Sequence, residues 1–133
     1  MNKRFWLSLA ATFVASMVFG FLVHGLWLHG DYAQLPNLMR PEADAQRYFG
    51  WMLLAHVILS GAFVWIYQRG REDKPWLGQG LRYGLAIALV SSVPMFLIYY
   101  AVAPYPGLVV AKQICGDGFS CLLLGAMVAW LNK

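Results

Sequence analysis

Four apolar stretches, each about twenty residues long, govern what this chain can fold into. A hydrocarbon core of roughly 30 Å takes about 20 helical residues to cross. Positions 5–28, 49–68, 83–103 and 107–130 reach that length with few charges. The expected fold is all-α, an integral membrane four-helix bundle in a single domain. Composition supports this: 60% of the 133 residues are hydrophobic and 12% are charged. A soluble domain is about half apolar and about a quarter charged. So short a chain buries only about two thirds of its surface, and the spare apolar area must face lipid or other chains. A soluble enzyme and a disordered chain are thereby excluded. The net charge of +4 includes no dense Lys/Arg run, so no nucleic-acid partner is expected. Lys3 and Arg4 ahead of an apolar run also fit a signal peptide. The run is too long for a typical h-region, so it is expected to be retained.

Basic residues set the expected orientation. Lys3, Arg4, Arg69, Arg71, Lys74, Arg82 and Lys133 fall on one side, and Arg40, Arg47 and Lys112 on the other. The positive-inside rule makes the first side cytoplasmic and puts both termini there. Trp6, Trp65 and Trp130 at inner ends, with Trp27, Tyr48 and Trp51 at outer ends, fit the aromatic belts. In the long outer loop, Pro41-Glu42-Ala43-Asp44 reads as a helix start, so a short interfacial helix is expected. The inner run RGREDKPWLGQG, punctuated by Gly and Pro, reads as a solvated turn.

Membrane helices associate through small residues and interhelical hydrogen bonds. Stripes of such residues recur at four-residue spacing, which keeps them on one helix face. They are Ser8, Thr12, Ser16, Gly20 and His24; His56 and Ser60, with Gly61 alongside; Gly84, Ala88 and Ser92; and Asp117, Cys121, Gly125 and Ala129. Three of them contain their span's ionisable residue, which turns His24, His56 and Asp117 toward helix contacts. Pro94, mid-span, frees the carbonyl of Val90 and predicts a kink that Ser91 or Ser92 satisfies. Cys115 and Cys121 lie on different faces, too far apart for a disulfide, and read as packing residues.

At about 1.5 Å per residue, Asp117 is roughly 15 Å inside the outer end, His56 roughly 12 Å and His24 roughly 6 Å. A lone carboxylate at that depth costs several kcal/mol, so Asp117 needs a proton or a partner. His56 is the expected partner, while Lys112 is expected to snorkel outward. Three readings of His24, His56 and Asp117 stay open. One is a structural pair that fixes helix register. Another is a haem b or divalent-metal site using His24 and His56, with His29 and Asp31 at the outer lip as further ligands. The third is a proton or small-solute path. Without GxSxG, HExxH, Walker or GxGxxG patterns, no catalytic residue is assigned and no enzyme is expected.

The first-span ending FGFLVHGLWLHGDY, the loop LPNLMRPEADAQRY and the last helix KQICGDGFSCLLLGAMVAWLN carry a resemblance. The chain resembles a broad set of small four-span bacterial inner-membrane proteins of unknown function. That resemblance implies the fold and a bacterial cytoplasmic-membrane location, and no activity. The leading expectation is a non-enzymatic accessory or scaffolding subunit, without cofactor, in a homo-oligomer or larger membrane complex surrounded by lipid. A haem b or metal protein and a proton-linked carrier working as an oligomer are the alternatives.

Overall fold

The computed structural model describes residues 2–133, and every regular element among them is helical. In chain order these are α1 (Lys3–Gly20), a π-helical segment (Phe21–Trp27), α2 (His29–Ala33), α3 (Glu42–Arg47), α4 (Phe49–Gly70), α5 (Trp76–Val90), α6 (Ser92–Val102) and α7 (Gly107–Leu131). They make four rods long and apolar enough to cross a membrane: Lys3–Trp27, Phe49–Gly70, Trp76–Val102 and Gly107–Leu131. Asn2 caps α1, its Oδ1 accepting from the Phe5 backbone N–H at 3.0 Å. In the outer loop the helix at Glu42 starts after an extended Pro41, with Glu42 and Asp44 in its first turn.

The third rod starts at Trp76, well before the expected position 83, and the inner turn shrinks to 71–75. Gly78 and Gly80, which read as turn punctuation, are both helical. Gly80 belongs instead to a seam of close approach. A Cβ placed on it would lie 2.6 Å from both the Ala129 Cβ and the Gly125 carbonyl oxygen. Cβ atoms on Gly84 and Gly125 would collide with the Cys121 and Gly80 carbonyls. Gly80, Gly84 and Ala88 on α5 thus mesh with Cys121, Gly125 and Ala129 on α7, a small-xxx-small contact read from both sides.

The same rod breaks at Ser91, whose φ of −115° and ψ of −80° leave the α region. Pro94 offers no N–H to Val90, and its ring pushes that carbonyl aside, so the break falls ahead of the proline. Ser91 Oγ donates to the Ile87 carbonyl at 2.6 Å, and the chain re-enters a helix at Ser92.

The core lies toward the chain termini. Phe5, Phe63, Val64, Tyr67, Leu124, Val128 and Ala129 form one buried cluster, closed by Tyr83, whose hydroxyl donates to the Phe63 carbonyl. Beneath it Asn132, 1% exposed, ties three rods together. Its Nδ2 donates to Ser8 Oγ (3.0 Å) and the Val128 carbonyl (2.8 Å), and its Oδ1 accepts from Gln68 Nε2 (2.8 Å). The Arg71 guanidinium donates to the Asn132 carbonyl. Asn132→Leu leaves Ser8 and Gln68 without this amide and is expected to cost about 2 kcal/mol of stability. Thermal unfolding in detergent measures it, with Asn2→Ala, a single helix cap, expected to cost about half as much.

Away from this core the rods part. Every residue of α4 between positions 49 and 59 is exposed except half-buried His56. That half of α4 presents Trp51, Met52, Leu54, Val57 and Ile58 outward.

Candidate functional site

The site begins with the π-helical segment at 21–27, whose wider turn is closed by the Leu28 N–H donating to the Val23 carbonyl at 2.9 Å. The Phe21 ring folds over Gly25, where a Cβ would meet it at 2.8 Å. On α7, Gly116 makes room for the same segment: a Cβ there would fall 2.6 Å from Val23 Cγ1 and 3.2 Å from Trp27 Cζ3. These glycines bring His24 against the residue beside Gly116, which is Asp117.

His24 Nε2 lies 2.8 Å from Asp117 Oδ1, and His24 Nδ1 lies 2.6 Å from the Tyr32 hydroxyl. Gln113 Nε2 donates to the same hydroxyl at 3.2 Å. One hydrogen-bonded chain therefore runs Gln113–Tyr32–His24–Asp117. The His24 and Tyr32 rings lie nearly parallel, 6° between planes. At the rim Lys112 Nζ sits 3.0 Å from Asp31 Oδ2. Burial pushes the Tyr32 hydroxyl above its ordinary pKa; the Gln113 hydrogen bond opposes this and the nearby Asp117 charge adds to it.

Asp117 is thus paired with His24 and not with His56, contrary to the depth arithmetic. That arithmetic set the outer rod ends in one plane. His24 lies three residues before the rod's end at Trp27 and Asp117 ten residues after Gly107, yet they touch, so the two rod ends do not lie in one plane. Lys112 meets Asp31, which α2 supplies beside it at the rim.

His56 packs elsewhere, its Nδ1 2.8 Å from Ser16 Oγ. Ser16 Oγ donates its one proton to the Phe13 carbonyl at 3.0 Å, so it accepts from His56 Nδ1–H. That tautomer leaves His56 Nε2 as a free acceptor, above Gly20, where a Cβ would stand 3.7 Å away. Deeper on this seam Ser60 is fully buried, and its hydroxyl has no hydrogen-bond partner among the described residues.

His24, His56 and Asp117 nevertheless border one crevice of about 250 Å³, with Ser16, Ser92 and Cys121. Ser92 Oγ and Cys121 Sγ are 4.0 Å apart. His29 stands apart, exposed on the wall of a cavity of about 720 Å³ under the outer loop, which Tyr32 also lines. The residues named for a haem or metal shell therefore do not converge: His24 uses both ring nitrogens, Asp31 holds Lys112, and His29 and His56 line different cavities. Among the described residues no three His, Cys, Asp or Glu side chains gather as a metal-holding group.

Sequence reading placed Tyr32 only in the outer-lip run His29-Gly30-Asp31-Tyr32, away from Asp117, and overlooked Gln113 and Asn132. Gln113 was findable, four residues before Asp117 and so on its helix face. Tyr32 was not, because its role needs helical residues beyond Leu28.

No protein-family model matches the chain, and no curated protein or solved structure is significantly similar to it.

Proposed function

We propose that this chain is a non-enzymatic accessory or scaffolding subunit, without a resident cofactor, that holds a transmembrane helix of another chain against the open half of α4. The observation that carries this reading is the exposure of α4 from Phe49 to Leu59 around a half-buried histidine. His56 Nε2 and Asp117 border the crevice beside it. Hydrocarbon offers those polar atoms no hydrogen bond, whereas a packed helix buries them and adds close contacts. The excess of basic residues near the termini and the short 71–75 turn supports an orientation with both termini in the cytoplasm. The family resemblance supports a bacterial cytoplasmic membrane. The helix comes from a second copy or from a larger complex, and the two differ in mass.

Cysteine cross-linking in native membranes tests this. On a Cys115→Ser background, Val57→Cys labelled with a maleimide benzophenone, which inserts into any neighbouring C–H bond, is expected to give a discrete adduct on irradiation, at twice the chain's mass or heavier. Leu89→Cys, on an exposed position of α5, is expected to give none. Equal yields from both positions, or monomer alone from a series along 49–59, sink the proposal.

A further inference from the structure

The hydrogen-bonded chain connects two cavities, whatever covers α4. Tyr32 lines the space of about 720 Å³ beneath the outer loop, and Asp117 lines the crevice of about 250 Å³ between the rods. His24 stands between them with one ring nitrogen on each neighbour, at 2.6 and 2.8 Å. A ring nitrogen on each side lets an imidazole take a proton at one and release one at the other without turning. A merely structural pair needs only one of these bonds. The geometry points to Tyr32–His24–Asp117 as a proton relay that loads and unloads the Asp117 carboxyl from the outer-loop cavity.

The step balances with no other reactant. At the start Tyr32 O–H donates to His24 Nδ1, and His24 Nε2–H donates to ionised Asp117. A proton from water in the outer cavity binds the Tyr32 oxygen as the phenolic proton passes to Nδ1. The Nε2 proton passes to Asp117 Oδ1. Tyr32 and His24 end neutral, with the histidine tautomer exchanged, and Asp117 ends protonated and donating to Nε2. In that state the Tyr32 oxygen accepts from Nδ1–H and from Gln113, and its own proton turns to water. Each state satisfies the bonds seen, and running the step backward empties the site. The raised pKa of Tyr32 suits a group that passes protons and does not stay ionised.

Several charged or titratable groups surround the relay. Asp31 of α2 and Lys112 of α7 form the ion pair at its mouth. Tyr105, in the turn before α7, lies close enough to act on the Tyr32 charge. On the crevice side stand His56 of α4 and Cys121 of α7, while α6 contributes only uncharged Ser92.

Stopped-flow infrared spectroscopy of the full chain in phosphatidylcholine vesicles tests the assignment through the protonated-carboxyl C=O stretch. A band that vanishes in Asp117→Asn is expected. After a pH jump the band is expected to rise at least about tenfold more slowly in Tyr32→Phe and in His24→Gln. Tyr32→Phe keeps the ring beside His24, so unchanged thermal unfolding of that variant separates a lost relay from a lost fold. If His24→Gln does not fold, the Tyr32→Phe rate decides alone. Equal rates in wild type and Tyr32→Phe, or no Asp117-dependent band, overturn the relay.

Discussion

Gly84→Leu is expected to drive α5 off α7 and lower stability by about 3 kcal/mol or more, at or beyond the upper end of ordinary overpacking. Most enlarged side chains meet other side chains, which can swing aside. At Gly84 the first added atom meets the Cys121 carbonyl and the backbone of Leu122, which cannot. The rods must separate, and the contacts of Gly80 with Gly125 and Ala129 loosen with them. Chemical or thermal unfolding in detergent measures the loss. Gly118→Leu is the control, because a Cβ there has no neighbouring atom within 4 Å. Similar losses from the two variants would show that the α5–α7 seam is not set by close approach.

The second large effect is at His24. His24→Leu leaves Asp117 deep in the bundle without its ring partner. Breaking a wholly buried pair from one side costs about 3–5 kcal/mol. Here the side chains keep 33% and 25% of their surface open, so about 2–3 kcal/mol is expected. Adding Asp117→Asn removes the stranded charge and is expected to restore at least about half of the loss, a coupling of 1 kcal/mol or more. His56→Leu gives up one hydrogen bond to Ser16 and no charge partner, so about 1 kcal/mol is expected. Unfolding of these three variants and of Asp117→Asn alone in one detergent ranks them. If His56→Leu proves costlier than His24→Leu, or the double variant recovers nothing, the pairing of His24 with Asp117 has no energetic weight.

These two sites differ in how far the sequence revealed them. The small-residue stripes carried the α5–α7 contact almost whole, because four-residue spacing puts Gly84 and Ala88, or Gly125 and Ala129, on one face in any helix. Gly80 was missed only because glycine near a proline also reads as a turn. The polar site was legible as a set and not as a pairing. Lipid makes each ionisable residue in a span conspicuous, so His24, His56 and Asp117 stood out. Which histidine meets the aspartate depends on where each rod ends relative to its neighbour. His24 stands three residues from the end of its rod and Asp117 ten from the start of α7, a stagger of about seven residues, or roughly 10 Å, between the rod ends. Tyr32 enters the site from α2, beyond the bend at Leu28. Asn132 lay at the chain's end, where apolar periodicity stops and no pattern marks a polar residue.

By itself the sequence determined four apolar rods, the faces that pack and the residues too polar for lipid. Those are properties of one segment at a time, written in length, spacing and transfer free energy. Tertiary structure alone decided that Asp117 meets His24, that Ser16 holds His56, that Tyr32 and Gln113 complete a hydrogen-bonded chain, and that α4 stands open over half its length. Each of these is a matter of register between rods, and register follows from where glycines permit approach and where helix ends stop.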